Sequence, residues 1–230
     1  KMNGTIDLRV RLEGDMKDPV ILKNMTKLQN RLEEFPQVRT SYSIANVVEQ
    51  MHRTVMDDDP AYETIPESRD KVNNLFTMYS MSGDPDDFST MVDYDYSVGL
   101  VTAFSTNLST HEIFKIVDAT QKFMDTVFPV SMPTNFTGII VITRDLINLL
   151  IESTIFSIIF SLIIIGIIAS IFFKKILWGA LAVIPLTSAV LINFGFMGYF
   201  GIELSHVTAI LSSIIIGVGV DFAVHYIAQF

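Results

Sequence analysis

The chain has 230 residues, half of them hydrophobic and only 18% charged, with a net charge of −9 and no cysteine. The acidic balance offers no basic stripe for phosphates, which excludes nucleic acid as a partner. The hydrophobic content excludes a disordered chain, and the lack of thiols excludes disulfides and thiolate metal sites.

Charge is laid out unevenly. Residues 1–150 hold 14 of the 16 basic and 22 of the 25 acidic side chains, whereas residues 151–230 keep only Glu152, Lys174, Lys175, Glu203 and Asp221. An acidic, water-facing part therefore precedes a part with uncharged stretches long enough to cross a bilayer, and a purely soluble protein is excluded. The start at Lys1 and the stop at Phe230 inside an apolar run lead us to expect a longer protein around this segment.

Ile6, Leu8, Val10 and Leu12 alternate with charged residues, the period-two signature of a strand with one buried face. Asp18 and Pro19 predict an N-cap and first helical position. Ile21, Met25, Leu28, Leu32 and Phe35 then recur at helical spacing up to Pro36. Val38 to Tyr42 predicts a second strand, and Ser43 caps a helix through Ile44, Val47, Val48 and Met51. Residues 56–92, rich in Asp and Pro, read as an insertion with a short helix around Val72, Leu75, Phe76 and Tyr79. The pattern then repeats. A strand over Ser97–Ser105 is followed by a Ser109-x-x-Glu112 capping box opening a helix to Val127, and by a strand over Asn135–Ile142. Two such strand–helix–strand units predict a ferredoxin-like α+β domain over residues 1–143.

Residues 144–230 predict an all-α membrane part, with helices over about 148–173, 176–200 and 205–230. Ser153–Phe173 is free of charge for 21 residues, Ile176–Ile202 for 27, and Leu204–Phe230 is interrupted only by Asp221. Lys174 and Lys175 are the only basic residues after Arg144, so the positive-inside rule puts their loop in the cytoplasm and residues 1–143 outside. The four sequons at Asn3, Asn24, Asn107 and Asn135 fall on that outer side but are read as chance matches.

Asp221 is the residue most suggestive of function, because a charge at membrane depth is costly and marks ion paths and proton relays. Ser213, Gly217, Asp221 and His225 recur at four-residue steps and so share one small, polar helix face. On that face a neighbouring helix can approach closely, and the carboxylate can take up and release a proton away from lipid. A buried carboxylate that merely bonds a neighbouring helix, and a His225 that merely anchors at the interface, are the structural alternatives. Ser153, Ser157, Ser161 and Asn193 are read as packing groups. Asp57-Asp58-Asp59 lacks the glycine and terminal glutamate of a calcium loop and is read as a solvated turn; His52 and His111 stand alone. No metal or cofactor site is expected, and without a phosphate loop, zinc motif or nucleophile elbow the chain is not expected to be an enzyme.

Four stretches carry a family resemblance. Gly217-Val218-Gly219-Val220-Asp221-Phe222 resembles the Gly-x-x-x-Asp-Tyr segment of the RND superfamily, specifically its MMPL-like and Patched-like hydrophobe exporters. Gly179–Gly201, with Pro185 and Gly198, is similar to the preceding helix. Ile65-Pro66-Glu67-Ser68 and Val92-Asp93-Tyr94-Asp95-Tyr96 are similar to parts of the outer porter domain. The resemblance implies an extracytoplasmic porter domain plus three helices of one half, the second, of a two-half transporter. Asp221 and His225 would then relay protons, with Ser213, Gly217 and Gly219 packing around them. Partners implied are membrane lipids, a lipid or other hydrophobic substrate, protons or sodium, and the second homologous half of the same chain. Phe222 stands where the family has Tyr, so a hydroxyl bond to the carboxylate is missing. A sterol-sensing or lipid-binding relative without net transport is the alternative reading.

Overall fold

The computed structural model describes residues 6–81, 83–106, 108–129, 132–202, 208, 210–212, 214–215 and 218–219. Contacts divide the chain into two compact units, Lys1–Arg144 and Asp145–Phe230.

In the first unit β1 (Ile6–Glu13), α1 (Pro19–Glu33) and β2 (Val38–Tyr42) follow in order. Next come α2 (Ile44–Val55), α3 (Arg69–Ser80), β3 (Val98–Ser105), α4 (Thr110–Val127) and β4 (Thr134–Thr137). The four strands form one sheet in the order β2-β3-β1-β4, with every neighbouring pair antiparallel. Val10 sits at its centre, opposite Val101 on one side and Phe136 on the other. The alternation in β1 has the expected consequence: Leu8, Val10 and Leu12 are buried while Arg9 is exposed. Leu22, Met25, Leu28 and Leu32 of α1, with Ile113, Ile116, Val117 and Met124 of α4, join them in one core.

The caps are those the local chemistry dictates. Asp18 accepts from the Val20 amide with Pro19 as first helical residue, and Ser109 and Glu112 form a reciprocal capping box. Ser43 also completes a box, with Asn46 as its partner. Its hydroxyl donates to the buried Gln29 Oε1 at 2.8 Å, and Gln29 Nε2 donates to Asn46 Oδ1 at 2.7 Å, so the polar groups between α1 and α2 satisfy one another. The segment between α2 and β3 is built around α3, whose Val72, Leu75 and Phe76 reach the same core, together with short 3-10 turns at Pro60–Tyr62 and Pro85–Phe88.

One boundary differs from the sequence expectation. The last strand ends at Thr137 rather than Ile142, and a single helix, α5 (Ile139–Phe172), begins two residues later rather than at about 148. The cause is local. Gly138 has φ +100°, a conformation that side chains disfavour, and a Cβ there would lie 2.6 Å from the Asp7 carbonyl oxygen of β1. The carboxylate of Asp7, a residue 8% exposed, pairs with Arg9 at 2.7 Å, accepts from the Ile139 amide at 3.2 Å and so caps the new helix from the neighbouring strand. Gly138→Ala is therefore expected to destabilise this unit by about 1–3 kcal/mol, through strain and collision with β1, read as a lowered denaturation midpoint.

In the second unit α5 continues from Asp145, and α6 (Ile176–Phe200) follows after a tight turn at Phe173–Lys175 in which Lys174 has φ 56°. At about 1.5 Å per residue, the 34 residues of α5 exceed the roughly 20 that a bilayer core requires, which leaves its charged first turns outside the apolar stretch. The end of α6 is a Schellman motif: Gly201 has φ 65°, and the Ile202 amide donates to the Met197 carbonyl at 2.8 Å.

Candidate functional site

Both α5 and α6 are long and apolar enough to cross a membrane. They do not resemble the buried core helices of a water-soluble domain. Ile163, Ile171, Phe172, Ile184 and Leu191 stand 54–72% exposed, a surface that calls for lipid or further apolar helices against it.

The contacts between these helices rely on small side chains. A Cβ on Gly179 would lie 1.9 Å from Ser170 Oγ and 2.5 Å from the Gly166 carbonyl oxygen, so only hydrogen lets the two backbones come this close. Ser170 turns its hydroxyl back to the Gly166 carbonyl at 2.7 Å, and Ala169 and Ala182 are buried. The serine at this contact is thus Ser170, while Ser153 and Ser157 are exposed.

Of the third apolar run, Thr208, Ile210–Ser212, Ile214, Ile215, Val218 and Gly219 are described, all helical. Ser212, 3% exposed, donates to the Thr208 carbonyl at 2.8 Å and accepts from Asn193 Nδ2 of α6 at 3.0 Å. Further along, a Cβ on Gly219 would lie 2.8 Å from Leu186 Cδ2, itself buried. Among the described residues of this run, one polar and one small-residue contact are made with α6. Gly219 falls on that seam, and Asn193 has the packing role read from the sequence. Asp221, His225, Ser213 and Gly217 lie outside the described residues.

The first unit holds a cleft of about 590 Å3 beside the C-terminal half of α3 and residues 92–96. Its aromatic wall pairs Phe76 with Tyr96 at 4.6 Å between ring centroids, and Lys17 Nζ lies 4.4 Å from the Tyr96 centroid while donating to Asn73 Oδ1 at 2.8 Å. Tyr96 has φ 57°, and its amide donates to the Asp93 carbonyl at 3.1 Å. Burial pushes the Asp93 carboxyl upward. The Ser97 hydroxyl at 2.6 Å and the Ser97 and Val98 amides at 2.7 and 2.8 Å outweigh it, holding the carboxyl below the ordinary range and therefore ionised at neutral pH. Asp15 follows the same logic: burial raises it, but Arg69 and the Lys17 amide bring it lower, fastening the loop before α1 to the start of α3. Sequence reasoning missed this cleft, although the alternation of acid and tyrosine in Asp93-Tyr94-Asp95-Tyr96 was its visible trace.

The remaining polar candidates have local roles. Asp57 and Asp58 take left-handed conformations in the turn that ends α2, and Asp59 accepts from the Ala61 amide at 2.9 Å. His52 Nδ1 lies 2.7 Å from the Thr64 carbonyl oxygen. Among the described residues no three metal-binding side chains converge.

No protein-family model matches the chain. It is 26% identical over 219 residues, 94% of its own length, to the Methanocaldococcus jannaschii protein called "Putative membrane protein MJ1562". The chain spans about half, 53%, of that protein's length. This similarity and the two apolar helices together support a place in a membrane for a chain whose sheet domain precedes a helical part.

Proposed function

We propose that the chain is the outer porter domain and three following helices of one half of an RND-type transporter, of MMPL-like or Patched-like kind. The whole protein uses the proton-motive force to export lipids or other hydrophobic molecules and is not an enzyme. In this reading residues 1–143 face outward, the Lys174–Lys175 turn faces the cytoplasm, and the chain passes the membrane several times.

The observation that carries the reading is the acid at 221, the only charge between Leu204 and Phe230, in an apolar run whose described residues Ser212 and Gly219 bond and pack against α6. Asp221 takes up and releases the proton, His225 assists on the same face, and Ser213, Gly217 and Gly219 let a neighbouring helix close on the neutral form. The resulting change in packing is what drives the outer domain. Two further features support it: the order β2-β3-β1-β4 is that of a ferredoxin-like split β-α-β domain, and the similarity to a protein twice as long agrees with a second half.

The test uses the full-length protein in sealed vesicles with a fluorescent lipid. Lipid movement that follows an imposed proton gradient, and not a sodium gradient, is the expected result. Movement driven by sodium alone would replace the coupling ion, and saturable lipid binding without movement under either gradient would favour a lipid-sensing protein instead.

A further inference from the structure

The outer cleft has a chemistry that hydrophobe export does not call for. Asp86, Asp93 and Asp95 line it against one cation, Lys17, so the walls carry a surplus of two negative charges. An anionic ligand is disfavoured there, and a purely apolar one would leave Asp86 and Asp95 unmatched, whereas Asp93 already accepts from Ser97 and Val98. One ammonium already sits in the cleft: Lys17 Nζ rests over the Tyr96 ring at 4.4 Å with Asn73 as its oxygen acceptor, so the aromatic wall is shaped to receive such a group. Tyr94, 88% exposed, offers a second ring at the rim, and Asp95 makes no hydrogen bond or ion pair among the described residues. The volume, about 590 Å3, lies within the range of small-molecule sites and exceeds what a bare metal ion fills.

We infer that this cleft is a binding site for an organic ammonium ion, a quaternary or tertiary nitrogen carried on an apolar body, held by the rings of Tyr94 and Tyr96 and the carboxylates of Asp86 and Asp95. Lys17 is the resident competitor: its ammonium shares Tyr96 and offsets one of the three charges. Binding here needs no ion gradient, so the inference stands whether or not Asp221 drives transport.

The test is calorimetric titration of the full-length protein in uncharged maltoside micelles with benzyltrimethylammonium, with phenylmethanesulfonate as the anionic counterpart and empty micelles as the blank. The wild type should bind the ammonium saturably and the sulfonate not at all. Tyr94→Ala and Asp95→Asn, both at exposed positions that leave the fold intact, should each weaken binding by about tenfold. Lys17→Met should tighten it by a few fold, its folding verified by an unchanged melting curve. Absence of saturable ammonium binding, a preference for the sulfonate, or wild-type affinity in both the Tyr94 and Asp95 variants would overturn the assignment.

Discussion

Replacing Asp221 by Asn in the full-length protein should reduce proton-driven lipid export to the level of protein-free vesicles while leaving expression, folding and the melting temperature essentially unchanged. The substitution keeps the shape and hydrogen-bonding capacity of the side chain and removes only its ability to change charge, which in the proposed mechanism is the event that alters helix packing. A carboxylate that merely ties two helices together predicts the opposite pattern, because asparagine can still donate and accept a hydrogen bond and export would persist. The same variant also separates the two sites: ammonium binding in the cleft beside α3 should be untouched by it, and the weakened binding in Tyr94→Ala should leave the proton dependence of transport in place.

The second large effect concerns the contact of α5 with α6. Gly179→Leu places a branched side chain where Ser170 Oγ and the Gly166 carbonyl oxygen stand 1.9 and 2.5 Å from a Cβ position, and the backbone oxygen cannot swing away. The helices must separate or slide, and the Ala169 and Ala182 contact opens with them. A loss of stability of about 1–3 kcal/mol or more is expected, measured as an earlier unfolding transition of the chain in detergent. Gly195→Leu is the matched control. Nothing among the described residues lies within 4 Å of its Cβ position, so its transition should stay near that of the wild type. If both variants unfold alike, the close approach at Gly179 is not what holds the pair together.

Much of the first unit was legible in the sequence because each of its signals is local. Alternation in β1, Asp18 before Pro19, Ser43 before α2 and the Ser109–Glu112 pair all act within a few residues, and each appears where local chemistry places it. The end of β4 was not legible for the opposite reason. Phe136 to Ile142 reads equally well as strand or helix in its apolar content, and the decision rests on Asp7, more than a hundred residues away, whose carboxylate caps Ile139 and whose carbonyl excludes a side chain at 138. The cleft was missed on similar grounds, since Lys17, Asn73 and Tyr96 meet only through the tertiary fold. In the apolar half, the end of α5, the extent of α6 and the break at Lys174–Lys175 came from composition alone, whereas the choice of Gly179 and Ser170 over Ser153 and Ser157 as the contact depends on how one helix turns against the next.

The most direct test of proton-coupled export is to record lipid movement and internal pH in the same vesicles, with the full-length wild-type protein and no imposed gradient other than that of the lipid. If coupling runs through Asp221, lipid moving down its gradient must carry protons the opposite way, and the vesicle interior changes pH in step with lipid transfer. Lipid transfer at the wild-type rate with no accompanying change in pH would contradict it.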